Sequence, residues 1–548
     1  MAALFALLFR FLKQPAILAY ILTGILIGHF GFFSSEAQNA LHSLAELGIT
    51  LLLFMLGLEI KLKELPTIGK VAAIVGISQI TITSLFAYWL SILLGFSILP
   101  AIYISIALTF SSTIIVVKLL SDKKDLHSLY GKIAVGVLLI QDLFAICILI
   151  FLSSFTTNSG ISPNFLFTIL LLIYKGLILF VIIAYLSRYI LPRVLDFTAK
   201  SSETLFLFSL AWVFGIAAFV SSSYMGFSIE IGGFIAGLAL STTTENFQIA
   251  ARMKTLRDFF IVLFFVVLGS QMNFTTLQSI IFPTLILSLF VLIIKPLIVM
   301  MGMGLMGYRK RTSFFTGLTM SQISEFSLIV VFMGEKIGHI NGSIVSLVTI
   351  VGIITFTFSS YMIQASNMIY RSLQKYLYFL EKAHVHAETI GDIGELNDHI
   401  VLIGAHSMGE SILYSLDHKK NDIVVVDFDP EVVNKLREKN IKSLFGDIAD
   451  IDIQEKAQLQ NARLVISTIS DLEDNIILIK SLTRLNRRAK IVVIAWDQRE
   501  AKQLYKKGAD YVVIPYIAGG KHLAKILKEN DLEKLEGLKQ NDFFTFLG

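Results

Sequence analysis

This sequence is short of charge. Only 16% of its 548 residues are Asp, Glu, Lys or Arg, against about 25% in an ordinary soluble protein. Cysteine is almost missing as well. Cys147 is the only one, so no intrachain disulfide can form and a disulfide-stapled secreted domain is excluded. Its place in an apolar run predicts a buried, inert thiol. With 36 glycines and 9 prolines the chain is far from collagen composition. Disorder is excluded too, since 55% of residues are hydrophobic and the mean hydropathy is +0.72. A net charge of +5 would suggest nucleic acid only if the basic residues clustered on one soluble face. They do not, and no nucleic-acid partner is expected.

The charge that is present is unevenly spread. Of the charged residues, about 50 follow Phe379, as expected of a membrane domain joined to a soluble one. The expected division is a transmembrane domain over 1–375, a linker over 376–397, a nucleotide-binding-type fold over 398–520 and a helical tail over 521–548. Thirteen apolar spans fall near 1–12, 15–33, 43–60, 68–96, 99–120, 127–153, 164–191, 203–222, 227–242, 257–272, 276–306, 313–334 and 343–370. The first is too short to cross a bilayer unaided and carries Arg10; it lacks a small-residue cleavage site, so a removed signal peptide is not expected. Alternate connections are basic: Lys61/Lys63/Lys70, Lys118/Lys123/Lys124, Arg188/Arg193/Lys200, Arg252/Lys254/Arg257 and Arg309/Lys310/Arg311. The connections between them carry almost no Lys or Arg. This alternation predicts that the basic loops and the C-terminal part are cytoplasmic and the N-terminus is outside, in a multi-pass cell-membrane protein surrounded by lipid.

Ionisable groups inside such spans are costly and so are the first candidates for function. Asp142 sits mid-span in VLLIQDLFAICIL beside Gln141, where a carboxylate marks an ion or proton pathway or else pairs with Lys295. Lys295 lies in LFVLIIKPLIVM, where Pro296 weakens the helix. Glu325 follows a polar cluster in GLTMSQISEFSLIVV. Glu59, Lys132, Glu230 and Asp258 are expected to snorkel or cap near an interface. Lys175 looks deep and has no account from the sequence.

Two spans read as broken helices. ALTFSSTIIVV sets Thr109, Ser111, Ser112 and Thr113 in an apolar stretch, and GLTMSQISEFS does the same with Thr319, Ser321, Gln322 and Ser324. They share the pattern Leu-Thr-Phe/Met-Ser and are seven spans apart, so they cross in opposite directions. Matched, interrupted spans in two halves of opposite topology mark an inverted-repeat transporter.

The ordered segments KQPAILAYILTGILIG, LAELGITLLLFMLGLEI, SSTIIVVKLL, VGVLLIQDLFAI, GFSIEIGGFIAGLAL, FFIVLFFVVLGSQMN and SQISEFSLIVV resemble the monovalent cation:proton antiporter-2 family, most closely its Kef-type potassium-efflux branch. The resemblance covers nearly the whole chain. It implies an all-α membrane domain with inverted repeats and two crossed discontinuous helices, in a dimer whose core domain moves against a dimerisation domain. It makes Asp142 the shared cation and proton carboxylate with Gln141 as its neighbour, where other branches carry a second Asp. It places Ser111, Ser112 and Thr113 along the site, Lys295 beside it, and Glu325 as the acid of the second broken helix.

After the linker, HIVLIGAHSMGESILYSL, DIVVVDFDPEVVNKL, LVISTIS, IVVIAWD and YVVIP alternate strand with helix, which predicts a parallel, doubly wound α/β sheet. Gly404, His406 and Gly409 occupy the positions of a G-x-G-x-x-G turn, with Ser407 and Met408 between them. His406 stands where a glycine would let the backbone approach a pyrophosphate. Asp427 ends the second strand at the spacing of a ribose-binding acid. Asp429, Asp447 and Thr468 complete the expected rim. The segment order resembles the Rossmann-like N-lobe of the RCK domain that regulates potassium conductance. That implies a sensor of AMP or NAD(H), with AMP favoured because His406 narrows the turn, and a second dimer contact.

The expected activity is exchange of a monovalent cation, K⁺ or alternatively Na⁺, for H⁺. One titrating carboxylate implies electroneutral exchange. No segment like a T-V-G-Y-G filter supports a nucleotide-gated channel, and no hydride-acceptor pocket supports an enzyme.

Overall fold

The computed structural model describes residues 1–12, 14–30, 35–59, 69–123, 125, 128–153, 174–175, 179, 181–183, 185–198, 201–222, 224–225, 229–241, 243, 245–272, 277–306, 308, 310–373, 376–377, 394–405, 408–416, 422–427, 430–446, 448, 451–469, 472–485 and 488–528. The chain forms two compact units, Met1–Lys382 and Ala383–Gly548.

The first unit is entirely helical among its described residues. Its helices are α1 (Ala2–Phe11), α2 (Ala16–His29), α3 (Ser35–Glu59), α4 (Gly69–Leu93), α5 (Ile98–Thr109), α6 (Thr113–Asp122), α7 (Leu129–Ser153), α8 (Leu191–Thr198), α9 (Ser202–Val220), α10 (Ile229–Leu240), α11 (Asn246–Ser270), α12 (Leu277–Leu289), α13 (Lys295–Leu305), α14 (Lys310–Thr319), α15 (Glu325–Lys336), α16 (Gly342–Gln364) and α17 (Ser366–Leu373). Six spans, among them the run from Ile98 to Asp122, are long and apolar enough to cross a membrane, and four shorter apolar helices accompany them among the described residues.

These helices group into two bundles. In one, α2, α3, α9, α10 and α11 pack on one another. Their backbones approach closely through small residues, as membrane helices do in the absence of a hydrophobic driving force. A Cβ on Gly237 would lie 1.9 Å from the Phe54 carbonyl oxygen, so only glycine lets α10 and α3 meet there. In the other bundle, α4 packs on α5, α7 and α13, while α15 packs on α5 and α16. The bundles meet where α10 faces α7 and α2 faces α16.

The fifth and twelfth spans are interrupted. α5 stops at Thr109 and α6 starts at Thr113, while α14 stops at Thr319 and α15 starts at Glu325. Each second half-helix opens on a serine cap. Ser112 accepts from the Ile115 N–H, and Ser324 and Ser327 form a reciprocal capping box. The hydroxyl-rich segments therefore supply the caps that let a helix stop and restart inside the bundle. The span around Lys295 also deviates. A π-turn over Phe290–Ile294 precedes Lys295, next to Pro296, which has no amide to give to the preceding turn.

Cys147 is exposed, contrary to the expectation of a buried thiol. It belongs to a stripe of α7 with Leu139, Leu143, Phe144 and Phe151, all exposed, so one apolar face of the helix points outward. An apolar run in a membrane protein does not distinguish that face from the core.

The second unit holds a six-stranded, all-parallel sheet in the order β3-β2-β1-β4-β5-β6. The strands are β1 (His399–Ile403), β2 (Ile423–Asp427), β3 (Ser443–Phe445), β4 (Ala462–Ser467), β5 (Lys490–Ile494) and β6 (Tyr511–Val513). All residues of β1 and β2 are buried, as in a sheet covered on both faces. Alternation divides them between two cores. Val401, Ile403, Val424 and Val426 face one, and Ile400, Leu402, Ile423 and Val425 the other. The strand order reverses between β1 and β4, where ligands of such sheets bind at the carboxyl ends.

Candidate ion-binding site and nucleotide turn

The two breaks are bonded to each other. Ser111 Oγ donates to the Met320 carbonyl at 3.3 Å, and Gln322 Nε2 to the Ser112 carbonyl at 3.4 Å. Lys295 is fully buried, and its Nζ donates to the Phe110 carbonyl at 2.7 Å and the Gln322 carbonyl at 2.8 Å. One ammonium thus takes a carbonyl from each break, where interrupted helices leave acceptors unpaired. The acids sit at the opposite, N-terminal ends. Glu325 opens α15 and accepts from Ser112 Oγ, the cap of α6, at 2.8 Å. Asp142 Oδ2 accepts from Thr113 Oγ1, the first residue of α6, at 2.8 Å. Cation on carbonyl ends and anions on amide ends is the arrangement that helix dipoles favour.

Gln141 supports the first break. Its Oε1 accepts from the Ser111 N–H at 2.7 Å, and its Nε2 donates to Gln79 Oε1 at 2.6 Å. Gln79 in turn donates to the Thr109 carbonyl at 3.1 Å. The expected residues Ser111, Ser112, Thr113, Gln141, Asp142, Lys295 and Glu325 therefore lie in one network, and Asp142 is 6% exposed. Sequence reading missed Gln79 and Ser359, whose hydroxyl donates to Gln322 Oε1 at 2.6 Å. Gln79 did carry a signal, as a lone carboxamide within the apolar α4.

The other charged candidates have different surroundings where they are described. Lys175 Nζ donates to the Met225 carbonyl at 3.3 Å, beyond the end of α9. Asp258 pairs with the neighbouring Arg257 at 2.9 Å near the surface. Lys132 is exposed, and the Glu59 side chain lies outside the described residues. Glu230 is 3% exposed and is not a surface cap.

In the second unit, Gly404 adopts φ +83° and a Cβ on Gly409 would lie 1.9 Å from the Gly404 carbonyl oxygen, so both positions of the turn need glycine. Asp427 is 2% exposed and its Oδ2 accepts from the Ala405 N–H at 2.7 Å. Thr468 Oγ1 donates to the Gly404 carbonyl at 2.9 Å. Gly404, Gly409, Asp427 and Thr468 thus converge at the carboxyl ends of β1, β2 and β4, and Met408 opens the following helix, Met408–Ser415. His406, Ser407, Asp429 and Asp447 lie outside the described residues. A tight glycine turn leading into a helix, with an acid at the second strand's end, fits a nucleotide.

A membrane unit with two interrupted, cross-bonded helices around a buried carboxylate belongs to the class of secondary cation transporters. The profile of the transmembrane sodium/hydrogen exchangers matches residues 1–365, and that of the TrkA-N domain matches residues 400–515. The chain belongs to the sodium/hydrogen exchanger family and is a cation:proton antiporter with a TrkA-N domain of the RCK type. It is similar to the protein YbaL of Escherichia coli (strain K12), at 26% identity over 549 residues, covering 96% of this chain and 95% of that one. Similarity to the glutathione-regulated potassium-efflux system protein KefC of Escherichia coli (strain K12) is 25% over 499 residues, or 90% of this chain and 78% of that one. The solved sodium proton antiporter MjNhaP1 of Methanocaldococcus jannaschii aligns at TM-score 0.49 and 14% identity, covering 68% of this chain and 95% of that one.

Proposed function

We propose that this antiporter exchanges K⁺ for H⁺ one for one, with Asp142 carrying either the cation or the proton. The observation that carries this reading is the Asp142 carboxylate, nearly buried beside the first break and bonded on one oxygen to Thr113. Carboxylate and hydroxyl oxygens suit a hard monovalent cation, and protonation of the same carboxylate would expel it. A single exchanging acid keeps the charge moved in each direction equal. Lys295 and Glu325 are then bracing groups that hold the two breaks open, and Gln141 and Gln79 fix the backbone of the first. The separation of the membrane unit into two bundles supports elevator-type alternating access, in which the bundle holding the breaks slides against the other.

The same reading sets the basic loops and the TrkA-N domain in the cytoplasm, the N-terminus outside, and the chain in a homodimer through both domains. It divides the chain at 1–375, 376–397, 398–520 and 521–548. Nucleotide binding at the Gly404 turn regulates exchange, with AMP preferred to NAD(H) because His406 replaces a turn glycine. K⁺ is favoured over Na⁺ by the likeness to a potassium-efflux protein.

Flux in liposomes containing the full chain tests the reading. Proton-coupled K⁺ uptake exceeding Na⁺ uptake, altered by AMP and insensitive to imposed voltage at fixed ΔpH, is expected. Equal Na⁺ flux removes the K⁺ assignment, and steep voltage dependence removes electroneutrality.

A further inference from the structure

The two bundles of the membrane unit are also joined by charge at one pole. Lys336, in the last turn of α15, places its Nζ 2.7 Å from Glu46 of α3 and 3.9 Å from Glu230 of α10. The cation belongs to the bundle with the breaks and both anions to the other. Glu230 is 3% exposed, and its Oε2 has no hydrogen-bond partner among the described residues. Such a carboxylate is costly without a nearby cation. It lines a small cavity with Leu53, Ile146, Leu149, Phe234 and Met333, again from both bundles. Ile146 and Leu149 follow Asp142 at i+4 and i+7 on one face of α7. Between Asp142 and this pole there is therefore an apolar plug shared by both bundles, and next to it the ion-paired cluster.

We propose that Lys336, Glu46 and Glu230 form the gate at the pole opposite the basic loops. Lys336 is a tethered cation that neutralises the two carboxylates and clamps the bundles over the plug in this conformation. When the bundles slide, Lys336 parts from both carboxylates, and Glu230 is left to receive the entering cation in place of the lysine. Lys336 is a positioning residue, setting how much of the population is closed. This rests on the sliding-bundle reading above.

The test uses the full-length protein in membrane vesicles with Cys147→Ser, because that thiol is exposed, and Ile146→Cys as the reporter. A membrane-impermeant maleimide is applied from the gate side. Lys336→Gln is expected to raise the labelling rate about tenfold, Lys336→Arg to leave it near the parent rate, and the exchanged pair Glu46→Lys with Lys336→Glu to bring it back. An unchanged rate in Lys336→Gln overturns the proposal. So does an Arg variant labelled as fast as the Gln variant, since charge would then not close the gate. Labelling reads conformation and not flux, so a parent protein that failed to exchange K⁺ for H⁺ would refute the function proposed above and leave this test standing.

Discussion

Lys295→Met separates two roles that a buried lysine near a carboxylate can have. The ammonium donates to the Phe110 and Gln322 carbonyls at 2.7 and 2.8 Å. Methionine keeps much of the stem and removes both bonds. Each charge-assisted bond contributes about 1.5–3 kcal/mol, and each orphaned buried carbonyl adds to the loss. Removing a fully buried ammonium also relieves its desolvation, which offsets part of this. The net loss expected is roughly 2–4 kcal/mol. For a chain of this size that lowers the melting point by about 2–3 °C, measurable as thermal aggregation of detergent-purified protein. Adding Asp142→Asn should not restore stability, because the lysine braces backbone. A melting point within 1 °C of the parent (roughly the scale of a surface substitution) would refute the bracing argument. So would rescue by Asp142→Asn, which would show the lysine to be a counter-ion of Asp142.

Other variants address the remaining contacts. Glu325→Ala removes the 2.8 Å bond from Ser112 that joins the two half-helices; a loss of about 2 kcal/mol is expected, with Glu325→Gln milder, by the same melting assay. Gly409→Ala forces a Cβ against the Gly404 carbonyl and should weaken nucleotide binding by calorimetry at least about tenfold, equivalent to roughly 1.4 kcal/mol. Asp510 accepts from Lys490 Nζ at 2.7 Å and from the Ile491 N–H at 2.9 Å, and chiefly the Lys490 bond holds its carboxyl below the usual aspartate range. Because the folded pKa is depressed, its stabilisation is complete above the unfolded value and is lost as pH falls through the folded one. The difference in protease resistance between parent and Asp510→Asn should therefore be constant near neutrality and vanish in strong acid. A difference that grew on acidification would contradict the pairing.

Charge scarcity, the alternating basic loops and the paired hydroxyl clusters made the membrane architecture and both breaks legible in the sequence, because a helix that stops in an apolar interior must bring its own caps. The parallel sheet was legible for a similar reason, since β1 and β2 are continuous apolar runs ending at a glycine turn and an acid. Partner choice within the site was not. Nothing in one-dimensional spacing told whether Lys295 would meet a carboxylate or two carbonyls, as Phe110 and Gln322 are more than 200 residues apart. The burial of Glu230 and the exposure of Cys147 depended on which helix faces pack together and which stay outside.

In the proposed exchange, one carboxylate trades a cation for a proton. Its most direct measurement is proton release on adding KCl to the purified protein in weakly buffered detergent, followed with a pH dye. About one proton per chain is expected from the parent, following the one-site linkage between proton and cation, and none from Asp142→Asn that retains the parent melting behaviour. The same release from the folded Asn variant would contradict it.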